Sequence, residues 1–212
     1  MPKIFTVDPR NPKQAIIDEI GNLLRAGGII AYPTETFYGL GADSRNDTAI
    51  RTLFSIKGRD FDKPIPIIIG SRHNLNAFTH HIPEKGTLLM DTFWPGGLTL
   101  LFNAAPEVSS KLTAGTGKIG IRVSSHPVAS RLAEAISGAI TSTSANISGD
   151  VECSTSDAVI DILGDKIDAI VDGGPTPGGK GSTIVDITVD PPVTIREGVI
   201  SEARITETLR KI

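Results

Sequence analysis

The chain predicts an α/β fold, and three observations carry that expectation. Short apolar runs of strand length alternate with segments whose apolar residues recur at helical spacing. Glycine and proline punctuate most of the junctions between them. A chain of 212 residues with 39% hydrophobic residues is long enough to bury one proper core. No internal repeat, low-complexity tract or linker divides it, so a single domain over residues 1–212 is expected.

The elements follow in order. Asn11-Pro12 predicts a helix start, with Asn as N-cap and Pro in the first turn. Ile16, Ile17, Ile20, Leu23 and Leu24 keep helical spacing until Gly27-Gly28 stops the run. The apolar run Gly28-Ile29-Ile30-Ala31-Tyr32 is a strand that ends at a proline, and residues 33–41 are expected to form a loop. Asn46 or Asp47 caps a second helix carrying Ile50, Leu53 and Phe54, which ends at Lys57-Gly58-Arg59. Residues 65–69 predict a strand that Pro64 and Pro66 push towards a sheet edge.

Helical segments are expected around Leu75 and Leu88-Leu89, then a turn at Trp94-Pro95-Gly96-Gly97. Residues 98–102, 119–123 and 139–141 predict strands, with a Pro-initiated helix over 127–136. A helix over 156–163, strands over 169–171, 183–187 and 193–196, and a weak helix over 205–209 complete the alternation.

Bulk properties remove several functions. A net charge of −3 argues against a generally basic nucleic-acid binder. The single cysteine, Cys153, cannot form an internal disulfide, and residues 1–8 hold no apolar signal segment. No apolar run approaches the roughly 18 residues of a membrane span. The expectation is a soluble, cytoplasmic chain with no membrane partner.

Two motifs fail on context. Gly115-Thr116-Gly117-Lys118-Ile119-Gly120 matches G-x-G-x-x-G, but it runs into a strand where a dinucleotide site needs a helix N-terminus. Gly174-Pro175-Thr176-Pro177-Gly178-Gly179-Lys180 resembles a Walker A loop, yet Gly181 stands at the magnesium-holding hydroxyl position and a strand follows. The second segment remains an amide-rich loop suited to an anion. The four histidines lack metal-ligand spacing and the acids do not cluster, so no protein-held metal is expected.

The remaining chemistry sits at element ends. Pro33-Thr34-Glu35-Thr36-Phe37-Tyr38-Gly39-Leu40-Gly41 gathers hydroxyls, an acid and aromatics after a strand, as the floor of a polar pocket would. Lys57 and Arg59 supply a point charge and a planar fork two residues apart; the same pair also suits a solvated turn. Arg122, inside a strand pattern, is either an edge residue or a buried partner for an anion. Ser142, Ser144 and Asn146 offer neutral donors and acceptors, with helix capping as their structural role. Gly181-Ser182-Thr183 and Arg196-Glu197-Gly198 come late in the chain.

This ordered set resembles the YrdC/Sua5/YciO family, the threonylcarbamoyl-AMP synthases, from about the first helix to Gly198. The resemblance implies a YrdC-like α/β fold: a twisted, mostly mixed sheet flanked by helices, with a large positively lined cavity. It implies that L-threonine, bicarbonate and ATP become L-threonylcarbamoyl-AMP and pyrophosphate, with Mg2+ carried in by ATP. The product would supply the threonylcarbamoyl group of adenosine 37 in tRNA, through tRNA-modification proteins that consume it. Such a step needs positioning and cations more than a protein nucleophile.

Carried over residue by residue, the resemblance makes Lys57 and Arg59 catalytic and ATP-binding, with Ser144, Asn146 and Arg196 also on the ATP side. It places Thr34, Tyr38, Arg122, Ser142 and Ser182 on the threonine side. Three positions depart from the family pattern. Asp60 follows the Lys-x-Arg pair in place of a proline, Lys118 stands for a threonine, and Ile68 stands for a histidine, removing a polar threonine-side contact. Ile68 leans towards a YciO-like nucleotide-binding paralogue with a different carbamoyl-type activity. A module binding double-stranded RNA or tRNA in translation or ribosome maturation is the remaining alternative; it would show steep salt dependence and no need for threonine.

Overall fold

The described strands sort into two mixed sheets, and the seam between them is where the polar residues gather. The structure is a computed structural model that describes residues 1–58 and 62–211. The elements are β1 (Lys3–Thr6), α1 (Gln14–Arg25), β2 (Ile30–Pro33), β3 (Tyr38–Gly41), α2 (Asp47–Lys57) and β4 (Ile67–Ile69). Next come α3 (Glu84–Phe93), β5 (Leu98–Asn103), β6 (Lys118–Arg122), α4 (Pro127–Ala135), β7 (Ala139–Thr141) and β8 (Thr143–Ser144). The chain closes with α5 (Ser156–Leu163), β9 (Ala169–Asp172), β10 (Thr183–Asp186), β11 (Val193–Arg196) and α6 (Glu202–Leu209).

The first sheet has the order β1-β9-β2-β3-β8, parallel on the β1 side and antiparallel from β3 onwards. The second has the order β11-β10-β5-β6-β4-β7 and alternates antiparallel and parallel pairings across its width. The chain passes from β7 in one sheet to β8 in the other through the single residue Ser142. Just before it, Thr141 ties the seam. Its hydroxyl accepts from the Ala42 amide at 2.9 Å and donates to the Leu40 carbonyl at 3.2 Å. Its carbonyl accepts from the Tyr32 phenol at 2.8 Å.

Two buried clusters support the sheets. One gathers the apolar faces of α2, α3 and α5 with Tyr38, Leu100 and Ile121. The other sets Ile17, Ile20 and Leu24 of α1 against Val128, Ala129 and Leu132 of α4. Alternate strand residues go to opposite clusters, as the pleat requires: Ile67 and Ile69 join the first, Ile68 the second.

The mixed α/β expectation holds, and four local expectations change. The first helix starts at Gln14 with Lys13 as N-cap, not at Asn11-Pro12. The Pro12 carbonyl instead accepts from Arg131 at 2.5 Å, which holds that segment outside the helix. Residues 38–41, expected in a loop, pair with β2 as a hairpin arm. The strand β4 is interior, not an edge, because Pro64 and Pro66 both precede its ladder. The strand β1 was not expected; four residues are too few to show a period.

Candidate functional site

Helix α2 is built to end at the site. Asn46 caps it, its side chain accepting from the Thr48 and Ala49 amides at 3.1 Å. Gly58 closes it in the left-handed region at φ 56°, so Lys57 is its last helical residue. The hairpin between β2 and β3 arrives from the other side. Its turn is closed by the Thr34 hydroxyl, which donates to the Phe37 carbonyl at 2.6 Å and accepts from the Thr36 amide at 3.2 Å.

Two cavities adjoin where these parts meet. The larger, about 600 Å3, is lined by Lys57, Lys63, Ser144, Asn146, Asp150 and Glu152 among others. The smaller, about 200 Å3, is lined by Thr34, Tyr38, Arg122, Ser142, Ser182 and Arg196 among others. Phe37, Thr143, Ser144 and Glu152 border both. Arg59 lies outside the described residues, as does Asp60. The described wall of the larger cavity carries both signs, two lysines against two carboxylates.

Lys57 is 2% exposed, and its ammonium serves the turn after β8. Nζ donates to the carbonyls of Ser144 at 2.6 Å and Asn146 at 2.9 Å, and to Asn146 Oδ1 at 3.0 Å. Ser144 Oγ donates to the same Asn146 oxygen at 2.7 Å, and Asn146 Nδ2 donates to the Asp150 carbonyl at 2.6 Å. The Lys57 carbonyl accepts from the Ser148 amide at 3.0 Å, so the helix end and the turn hold each other from both directions. A buried cation needs such acceptors, and the turn carbonyls need such a donor.

Arg122, at the end of β6, lies at the back of the smaller cavity. Its Nη1 donates to Glu35 Oε1 at 2.6 Å and its Nη2 to Ser142 Oγ at 3.1 Å. The second Glu35 oxygen accepts from the Ser124 hydroxyl. Both ions are largely out of water, with side chains 5% and 16% exposed. In the same cavity, the Arg196 guanidinium donates to the Ser182 carbonyl at 2.8 and 3.2 Å and to its hydroxyl at 3.3 Å. Ser182 Oγ also meets Thr99 Oγ1 at 3.0 Å. Tyr38 donates to the Gly174 carbonyl at 2.8 Å, and burial pushes its phenol up to about 12, so it stays a donor. Burial pushes the Cys153 thiol up despite nearby Lys57, which leaves it unreactive.

The residues expected on the threonine side all line the smaller cavity, and Lys57, Ser144 and Asn146 line the larger. Arg196, expected with ATP, lines the smaller one beside Arg122. Ile68 pairs with Arg122 in the parallel register, but its side chain is fully buried in the cluster under α4 and is not among the cavity residues. Lys118 donates to Asp186 Oδ2 at 2.8 Å, a bridge from β6 to β10 across β5. Sequence reasoning missed roles for Glu35, Ser124 and Glu152. Glu35 stands within the pocket stretch, but no spacing links it to Arg122; Glu152 lies in a loop without periodicity.

Two polar cavities that share a wall at Phe37, Thr143, Ser144 and Glu152, the smaller one lined by two arginines, give this α/β protein a site of the kind that suits charged small molecules. The family model of the Sua5/YciO/YrdC domain, described as "Telomere recombination", matches residues 22–198. The chain belongs to that family. It is 38% identical to the threonylcarbamoyl-AMP synthase of Bacillus subtilis, over 96% of this chain and 57% of that one. The crystal structure of Pyrococcus abyssi Sua5 complexed with L-threonine superposes with a TM-score of 0.94 at 34% identity, over 99% of this chain and 61% of that one. Escherichia coli YciO superposes with a TM-score of 0.87 at 29% identity, over 97% of this chain and 99% of that one. The chain thus spans about three-fifths of the B. subtilis and P. abyssi proteins and nearly all of YciO.

Proposed function

We propose that the chain is an ATP-dependent L-threonylcarbamoyladenylate synthase. The observation that carries this is the adjacency of the two cavities along Thr143 and Ser144, with the amino-acid-side residues in one and Lys57 in the other. The larger volume of about 600 Å3 falls within the roughly 300–1,000 Å3 of cavities that enclose a drug-sized ligand. The smaller suits a single amino acid.

The chemistry follows from the residues. The threonine amine adds to the carbon of bicarbonate-derived CO2 and loses a proton, giving a carbamate. A carbamate oxygen attacks the α-phosphorus of ATP, and the bond to the β-phosphate oxygen breaks, releasing pyrophosphate. The Arg122 fork receives the threonine carboxylate, with Ser142, Ser182, Thr34 and Tyr38 shaping its surroundings. Lys57 and Arg59 supply positive charge where phosphate charge builds, and Ser144 and Asn146 offer polar contacts beside them. Arg196, lining the smaller cavity that shares Ser144 with the larger, supplies further positive charge on the adenylate side. Magnesium enters with ATP as part of the substrate.

In this reading the product serves threonylcarbamoylation of tRNA adenosine 37 in the cytoplasm, through proteins that consume it. No described helix is long and apolar enough to cross a membrane. Ile68, buried away from the cavity where the family pattern has a histidine, favours one second reading, a YciO-like nucleotide-binding relative with another carbamoyl-type reaction.

The test is pyrophosphate release from ATP, magnesium and bicarbonate with each amino acid in turn. The synthase reading expects release that requires both threonine and bicarbonate. Tight ATP binding without threonine dependence would select the second reading instead.

A further inference from the structure

We propose that Glu35 is a positioning residue that aims the Arg122 guanidinium into the smaller cavity and so sets affinity for the amino-acid carboxylate. The inference rests on the synthase reading for the identity of that ligand. Glu35 is not among the residues lining the cavity, whereas Arg122 is. It grips Arg122 from behind: Nη1 donates to Oε1 at 2.6 Å, while Ser142 Oγ takes Nη2 at 3.1 Å. A guanidinium has five N–H donors in a rigid fork. Engaging one N–H on each terminal nitrogen fixes the plane and leaves the second N–H of each for a ligand.

Glu35 is itself held. Its other oxygen accepts from the Ser124 hydroxyl, and Ser124 Oγ in turn accepts from the His126 amide at 3.1 Å. The acid comes from the β2–β3 hairpin, Arg122 and Ser124 from the end of β6 and the residues just after it, and Ser142 from between β7 and β8, so three separate segments fix one fork. The ion pair also lets a nearly dry cation exist before ligand arrives, which an unpaired guanidinium at 5% exposure would do at heavy cost. A ligand carboxylate therefore adds to the pair and need not displace Glu35.

The experiment compares Glu35→Ala, Glu35→Gln, Arg122→Ala and the Glu35→Ala/Arg122→Ala double variant, varying threonine at saturating ATP and the reverse. Glu35→Ala is expected to raise the threonine KM by about tenfold or more, with the ATP KM within about twofold. Glu35→Gln keeps an acceptor for Arg122 and is expected to recover part of that loss. In the Arg122→Ala background, Glu35→Ala should add less than about twofold, because it acts through the arginine. Equal rises in both KM values, or a full extra loss in that background, would overturn the proposal. If Glu35→Ala fails to fold, Glu35→Gln decides by the same KM split.

A second readout is independent of substrate. In 15N NMR of the full chain, the Arg122 Nη–H signals should be resolved by restricted rotation and should collapse in Glu35→Ala. Unchanged signals overturn the positioning role. Loss of threonine dependence in the wild-type protein, with the NMR change intact, would instead remove the synthase reading alone.

Discussion

Lys57 Nζ and Asn146 Oδ1 lie 3.0 Å apart although 89 residues separate them in sequence. The bond joins the last turn of α2 to the turn after β8, and the same ammonium also holds two backbone carbonyls of that turn. A lysine at this position thus builds the wall of the larger cavity as well as charging it.

Lys57→Met should therefore cost stability and activity together. It leaves three buried acceptors without their cation, a loss of about 3 kcal/mol by urea titration. Pyrophosphate release should fall at least ~10-fold, as it should for Arg59→Ala. A Lys57→Met protein as stable as the wild type would refute the architectural role.

Thr141→Val tests the sheet seam. The side chain keeps its volume but strands the Ala42 amide, which meets the hydroxyl, and removes the hydroxyl's bond to the Leu40 carbonyl. The expected loss is about 2 kcal/mol, with faster hydrogen exchange at Ala42. Unaltered exchange there would show that the two sheets are joined by other means.

Gly198→Ala tests the floor under Ser182. An added Cβ would lie 2.1 Å from the Gly181 carbonyl oxygen and 2.6 Å from the Ser182 carbonyl carbon, both backbone atoms that cannot rotate away. Thermal unfolding should show a loss of about 3 kcal/mol, and the threonine KM should rise as Ser182 shifts. A fully stable variant with normal threonine KM would contradict this packing.

His126 gives the fold an acid-sensitive point. Its Nδ1 accepts from the Val128 amide at 3.3 Å as the cap of α4, and burial pushes its pKa down, with Glu35 pulling weakly the other way. The unfolded chain binds the proton more readily, near the ordinary value of about 6.5. The stabilisation is thus complete above that pH and is lost as pH falls towards the depressed folded value. Melting temperature should drop on acidification from about pH 7 to 5, and His126→Asn, which still caps, should flatten that drop. A wild-type profile as flat as that of the variant would remove His126 as the cause.

Much of the secondary structure was legible. Segments with a clear period, such as Ile17-Ile20-Leu24 and the cap at Asn46, needed only local rules. Where local signals misled, tertiary pairing overrode them: Arg131 drew Pro12 out of α1, and β2 drew residues 38–41 out of a loop into a strand. The prolines before β4 were legible as residues, but their position outside the ladder was not.

The sequence by itself determined the α/β alternation and which polar residues stand at element ends, because hydroxyls, cations and acids there stand out against apolar periods. Only the tertiary structure decided how they divide: Lys57 with Asn146 in one cavity, Arg122 with Glu35 behind it at the other, and Arg196 in the same cavity as Arg122. The reason is physical. Burying a charge demands a partner at about 3 Å, and which partner is available depends on strand order across two sheets, a relation that no local spacing along the chain encodes.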